Sequence, residues 1–213
     1  KLLPFGSKLR NYLRCLDQNL YASLPMTANY FDPVTRSELL PQYAYPEDAE
    51  SIWRQRIPTG QDLMQSATKM DFCNYLPEDI LVKIDRASMA HSLEVRAPFL
   101  DLDLIEFSFS KIPSYLKVRN NNKKIMLKRL ADKILPKKFD LNRKQGFSIP
   151  LNEWLKSGPY RDLFLDVLTD KNVMFDRKTI TKLFKGQDIG FNNGEKLFGL
   201  VQFELWRRHY GVD

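Results

Sequence analysis

The sequence predicts a mainly α fold, on three observations. Apolar residues recur at spacings of three and four along most of its length. Alternating, strand-like runs are scarce. Helix-start signals, a proline followed by acids, stand at Pro46-Glu47-Asp48 and at Leu76-Pro77-Glu78-Asp79.

The elements follow in order. Lys8 to Leu20 carries Leu9, Leu13, Leu16 and Leu20 on one face. Residues 25 to 47 hold prolines and polar turns, with a short helix around Thr35–Leu40 capped by Thr35 or a neighbour. A helix starts at Pro46. Gln61 to Asn74 is the next, with Leu63, Ala67 and Met70 inward. Leu76 to about His91 follows, with Ile80, Ile84 and positions 87/88 facing the core. On its polar side Asp79 stands four residues before Lys83. After Pro98, Asp101 caps a helix bearing Leu102, Ile105 and Phe109. Asn120-Asn121-Asn122 is a polar turn. Lys124 to Leu135 is a helix with Leu127, Leu130 and Ile134 inward, ended by Pro136. Residues 139–150 read as a loop. Helices then run near Pro150–Lys156, Pro159–Leu168, Asp176–Gly186 and Asn193–His209, the last with Leu197, Leu200, Val201 and Leu205 on its apolar side.

Length and composition bound the rest. A chain of 213 residues with 43% hydrophobic side chains can build a real core. It is read as a single mostly helical domain over 1–213. No run of eighteen apolar residues suggests a membrane span, and the start has too short an apolar stretch for a signal peptide. The first residue is not Met, so the native protein is expected to begin upstream. Two cysteines, Cys15 and Cys73, suit buried thiols in a reducing cytoplasm. Two histidines and no carboxylate cage argue against a metal site in these residues. There is no GxxxxGK[ST] or GxGxxG phosphate loop.

Charge is uneven. Between Lys111 and Lys144 there are twelve cations against Asp132 and Asp140, more than the whole chain's excess of +7. Such a block favours anionic partners: a nucleotide, a phosphate-rich substrate or nucleic acid. No aromatic lies between Lys117 and Lys138 for base stacking, which argues against nucleic acid.

Three ordered segments are more specific than the periodicity. The run Tyr75–Asp101 includes Asp85-Arg86, Ser88-Met89-Ala90, Ser92-Leu93-Glu94, Arg96 and Pro98-Phe99-Leu100-Asp101. Lys124-Ile125-Met126-Leu127-Lys128 follows. The third is Arg143-Lys144-Gln145-Gly146-Phe147-Ser148-Ile149-Pro150-Leu151, with Trp154-Leu155 after it. Together they resemble the synthetase domain of glutamine-hydrolysing asparagine synthetases, over a motif core of about 70–156. The resemblance implies a bundle-like C-terminal portion of an α/β ATP-pyrophosphatase-type synthetase domain, its sheet and nucleotide loop largely missing here. The family's SGGxDS loop, its acidic glycine-rich segment and an N-terminal Cys nucleophile are all absent from these residues, as expected of a C-terminal fragment that is inactive alone. An exposed apolar face is expected near the N-terminal part, where the sheet would pack.

The implied chemistry is ATP-dependent amidation. Aspartate is activated as a β-aspartyl-adenylate with release of pyrophosphate, and ammonia from glutamine displaces AMP. ATP with Mg is the implied cofactor, held mainly by upstream segments. A glutaminase domain is the implied N-terminal partner, and a homodimer is also expected. Lys144 matches the family's catalytic lysine, aimed at phosphate charge that grows in the transition state. Gly146 would let its loop approach phosphate closely. Asp85, Arg86, Lys124 and Arg143 fall on the substrate and nucleotide wall, Asp85 and Arg86 either as a buried ion pair or in direct contact with substrate. Glu94 and Arg96 are read as a supporting pair. Met89 and Phe99 are read as core. Two alternatives stay open: a related amidotransferase acting on another carboxylate, of a sugar or a secondary-metabolite precursor, and a non-catalytic helical binding module.

Overall fold

The structure, a computed structural model, describes residues 13, 15–16, 19–43, 50–57, 60, 62–143 and 149–212. Helices dominate. α1 (Leu20–Ala28) is capped by Asn19, whose side chain accepts from the Ala22 N–H at 2.8 Å. It holds Pro25 in its interior, so the stretch read as turns from residue 25 begins inside a helix. α2 (Pro33–Leu39) is capped by Asp32, not Thr35: Asp32 accepts from the N–H groups of Val34 and Thr35, both at 3.1 Å. Pro33 then takes the first helical position, where a missing N–H costs nothing. α3 (Glu50–Gln55) follows; the start expected at Pro46 lies outside the described residues, as does most of the helix expected from Lys8.

α4 (Leu63–Cys73) is capped by Asp62. Its buried face is Ser66 and Met70, continued by Asn74, whereas Leu63 is exposed. Polar bonds select that face: the Asn74 amide donates to the Met70 carbonyl at 2.9 Å and its oxygen accepts from Arg56 at 2.9 Å. The chain does not break at Pro77. A π-helical turn (Leu76–Leu81) carries it into α5 (Val82–Met89). The wider turn makes room for a ring that would clash in an α-helix.

A 3₁₀ turn (Pro98–Leu100) precedes α6 (Leu102–Ser110), which Asp101 caps through the Leu104 N–H at 3.2 Å. α7 (Ser114–Lys117) leads into β1 (Val118–Arg119) and β2 (Asn122–Lys123), then α8 (Ile125–Ile134). The strands pair antiparallel, Val118 with Lys123 and Arg119 with Asn122. The polar turn is thus a hairpin loop: Asn120 (φ 47°) and Asn121 (φ 63°) supply the two left-handed residues such a tight connection needs. α9 (Leu151–Trp154), α10 (Pro159–Thr169), α11 (Arg177–Asp188) and α12 (Gly194–Tyr210) complete the order.

The chain divides into two compact units, Lys1–Ser51 with Phe147–Asp213, and Ile52–Gly146. The first has a dense core. Leu39 of α2, Leu155, Phe164 and Leu168 of the α9–α10 region, Ile180 and Leu183 of α11, and Leu197 and Val201 of α12 form one buried cluster. Each fully buried leucine contributes about 1.5–3 kcal/mol of transfer free energy. Backbone and polar contacts join α2 to α11: the Asp176 N–H donates to the Leu39 carbonyl at 2.7 Å, and Lys182 pairs with Glu38 at 3.0 Å. α12 starts against α9, where the Gly194 N–H donates to the Asn152 side chain at 3.1 Å. Leu205, expected inward, is partly exposed at the edge of α12.

The second unit is held differently. Ile57 and Met70 are its buried apolar side chains among the described residues. Polar links carry much of the packing: Gln65 donates to the Ile112 carbonyl at 3.0 Å, and the Ser114 hydroxyl donates to Asp62 at 2.8 Å. Lys117 donates to Gln65 at 2.7 Å and lies 4.9 Å from the Phe109 ring centre, whose ring meets Phe72 edge-on at 5.3 Å. Several expectations are corrected here. Ile84, Met89, Phe99, Leu127, Leu130 and Ile134, all read as core, are exposed, Phe99 at 66%. Their helical spacing is real, but no described element of this unit covers that face. Among the described residues, exposed apolar side chains are frequent between Val82 and Phe139; much of the N-terminal part, where an exposed apolar face is expected, lies outside the described residues.

Candidate functional site

The sequence-selected residues that the structure describes, Asp85, Arg86, Glu94, Arg96, Lys124 and Arg143, all belong to the second unit. Lys144, Gly146 and Phe147 lie outside the described residues.

Asp85 and Arg86 sit on α5, adjacent in sequence and therefore about 100° apart around the axis. Both are exposed, and they form no ion pair with each other or with any described residue. The buried-pair reading of these two is therefore corrected: one residue of helix separates their directions, and neither side chain is taken out of water. Two charged side chains stay open for contact.

α5 ends in a tight backbone motif. The Leu93 N–H donates to the Ser88 carbonyl at 3.0 Å and the Ser92 N–H to the Met89 carbonyl at 3.0 Å. Ser92 takes the left-handed conformation (φ 56°) that this cap requires, usually supplied by glycine. The turn leads into a segment, 93–97, without helix or strand. Glu94 and Arg96 are two apart on it. They form an ion pair, both well exposed. A pair so open to solvent adds about 0–1 kcal/mol.

Lys124 stands between β2 and α8 in the left-handed region (φ 57°) and gives α8 no side-chain cap. Its neighbours form a pocket of about 330 Å³ between the hairpin and the first turns of α8, lined among others by Arg119, Lys123, Lys128 and Arg129. The Lys128 ammonium donates to the Asn142 side chain at 2.9 Å. Asn142 is itself fixed by Asp140, which accepts its N–H at 2.9 Å. The residue before Arg143 is thereby tied to α8. The sequence marked this region by its block of cations, a polar turn at Asn120-Asn121-Asn122 and the motif Lys124–Lys128, but not as a pocket. The signal for the pocket was the run of asparagines, which places Arg119 and Lys123 on a hairpin.

Trp154, in the third motif segment, belongs to the first unit and stacks on Tyr160, rings 4.7 Å apart and 14° from parallel. Two buried carboxylates there were not anticipated. Glu50 has no spacing signal, because packing brings Arg36 to it, whereas Arg207 and Arg208 stand three and four residues after Glu204, a helical spacing present in the sequence. Glu204 accepts from Arg207 and Arg208, each at 2.9 Å. Burial pushes the Glu204 carboxyl up, but those hydrogen bonds and the two positive charges outweigh it and hold it below its usual range. Cys15 and Cys73 are free and partly buried.

Among the described residues no helix is long and apolar enough to cross a membrane, and no group of three or more His, Cys, Asp or Glu could hold a metal ion.

A family model described as asparagine synthase matches residues 6–208. The chain is 40% identical over 141 residues to glutamine-hydrolyzing asparagine synthetase 1 of Bacillus subtilis, covering 64% of this chain and 22% of that protein. It is 29% identical over 153 residues to glutamine-hydrolyzing asparagine synthetase 3 of the same organism, covering 63% of this chain and 24% of that protein. The chain thus spans less than a quarter of the length of these curated relatives. No solved structure matches it.

Proposed function

Since the chain belongs to the asparagine synthase family, we propose that it forms the helical part of an ATP-dependent ligase converting aspartate to asparagine. The aspartate side-chain carboxylate attacks the α-phosphorus of ATP, giving an acyl-adenylate and pyrophosphate. Ammonia, drawn from glutamine by a separate glutaminase domain, then attacks the acyl carbon, and AMP leaves with the bonding electrons. Both steps move negative charge onto phosphate oxygens. A fixed cation at that place stabilises the transition state more than the ground state. Lys144 takes that role, with Asp85, Arg86, Lys124 and Arg143 on the substrate and nucleotide wall, and Glu94 and Arg96 supporting it.

The observation that supports this reading is the ordered occurrence of all three motif segments inside the matched stretch of 6–208. The openness of Asp85 and Arg86 is compatible with substrate contact. Mg belongs to the reading as the partner of ATP phosphates. The described residues do not offer a carboxylate set for it, so no step is assigned to it here. Both cysteines being free suits a reducing cytoplasm. A homodimer completes the assembly proposed.

The test is direct. The intact gene product, given ATP, aspartate and ammonia, should release pyrophosphate and asparagine in equal amounts. Pyrophosphate release that ignores aspartate but responds to another carboxylic acid would reject the substrate, and no release with any acceptor would reject the ligase.

A further inference from the structure

One helix of the first unit carries an aromatic stripe on its outer side. α12 puts Phe203, Trp206 and Tyr210 at i, i+3 and i+7, with Gly199 four residues before the first of them. At 100° per residue these four lie within about 60° of arc, on the side away from the buried Leu197, Val201 and Glu204. The three rings are 42%, 48% and 65% exposed. A contiguous apolar patch of this kind marks a surface for a partner, and tryptophan and tyrosine are the side chains that most often anchor one.

The rings form a ladder. Phe203 meets Phe175 at 5.8 Å, Trp206 meets Phe203 at 5.8 Å and Tyr210 meets Trp206 at 5.7 Å, centre to centre. Each ring is held by its neighbour, and side chains already ordered lose little freedom on association. Gly199 leaves a gap in the same stripe, one turn before Phe203. Glycine weakens a helix interior relative to alanine, and no described residue requires it here: a Cβ at Gly199 would meet nothing within 4 Å. The gap is a socket that the fold itself does not fill.

The order of groups along the stripe fits a second copy of the same helix. Turned antiparallel about a two-fold axis level with Gln202 and Phe203, each copy sets its Trp206 over Gly199 of the other, with the two Phe203 rings beside the axis. The acidic first turn, with Glu195, then meets the basic last turn, with His209, and the helix dipoles run opposed. A parallel pairing would set Trp206 against Trp206 and leave both sockets empty. We propose that the Gly199–Tyr210 stripe of α12 is the face through which two copies of this chain pair, antiparallel and with Trp206 as the anchor. The inference rests on the homodimer included in the amidation reading and supplies its surface.

Sedimentation velocity of the intact gene product over a wide range of protein concentration tests it. A reversible dimer is expected. Trp206→Gln, which removes the anchor, and Gly199→Lys, which fills the socket, should each raise the dissociation constant about tenfold or more, the equivalent of about 1.4 kcal/mol. Ile189→Gln, which removes an apolar side chain 71% exposed just past α11 in the same unit, should leave it unchanged. All three positions are exposed, and circular dichroism checks that folding is kept. Should Trp206→Gln fail to fold, Tyr210→Gln must weaken the dimer in its place. An undiminished dimer in the stripe variants overturns this face and leaves the homodimer standing, and an equal loss in Ile189→Gln overturns it too. A monomer at every concentration overturns the face and the homodimer together; if Trp206→Gln then lowers thermal stability more than Ile189→Gln does, another segment of the gene product covers the stripe. None of these outcomes touches the pyrophosphate-release test of the ligase.

Discussion

Arg36 forks onto Glu50: its two terminal nitrogens lie 2.7 and 2.8 Å from the two carboxylate oxygens, and the Glu50 side chain is fully buried. Asn29 donates to the same carboxylate at 2.8 Å. The pair joins α2 to the start of α3 and closes the first unit around a charge that water does not reach. A bidentate guanidinium is the side chain best shaped to satisfy both oxygens at once.

Removing one partner of such a pair strands a buried charge. Arg36→Ala should destabilise the chain by about 3–5 kcal/mol, seen as a lower midpoint in urea unfolding. Arg36→Lys should recover only part, because an ammonium cannot fork. Equal midpoints for wild type and Arg36→Ala would show that Glu50 is satisfied without it.

Acid should loosen the first unit through two carboxylates. Hydrogen bonds from the Thr179 backbone N–H and hydroxyl hold Asp176 below its usual range. At Glu204 burial opposes, but Arg207 and Arg208 prevail and the carboxyl is again held low. Both folded values lie below the unfolded ones, so the folded state binds fewer protons and the stabilisation is present above the unfolded values. It is lost as pH falls through about 4 toward the lower folded values. Urea midpoints measured across that range should fall with acid, less steeply in Glu204→Gln. A midpoint independent of pH would contradict both assignments.

Gly194 opens α12 where a side chain has no room. A Cβ there would stand 2.6 Å from the Asn152 Oδ1 and 3.2 Å from the Leu151 Cβ. Gly194→Ala should cost about 1–3 kcal/mol by overpacking, and Asn152→Ala in the same chain should return part of it. Thermal unfolding of the single and double variants measures the coupling.

Asp85 and Arg86 test wall against scaffold. Both are exposed and without ion pairs among the described residues, so Asp85→Ala and Arg86→Ala should each change stability by no more than about 0.5 kcal/mol. Turnover in the intact gene product should nevertheless fall. Lost stability with full turnover would make them structural.

Lys144→Ala should slow adenylation in the intact gene product by roughly 10²-fold or more, the scale for losing one preorganised charge-stabilising donor. ATP–pyrophosphate exchange reports that step. Lys144→Arg should rescue only in part, since a planar fork needs more space than an ammonium. Exchange at the wild-type rate in Lys144→Ala would take the lysine out of the chemistry.

What the sequence determined by itself was local. Helix type and approximate extent follow from spacing, caps and prolines: α10, α11 and α12 lie within a few residues of their expected bounds, and Asp101 caps α6 as its position implies. Ordered motifs carried the family, since a long string of residue types in sequence needs no coordinates to be recognised. Tertiary structure decided everything that depends on which face finds a partner. Leu197 and Val201 are buried and Leu127 and Leu130 exposed, although the helical pattern is the same in both. An apolar stripe states only that a helix could be covered, and burial needs a second surface to be there. For the same reason Asp85 and Arg86 stay open while Glu50 and Glu204 are sealed. Charge pairing at a distance in sequence is set by where helices pack, and a linear pattern holds no record of that.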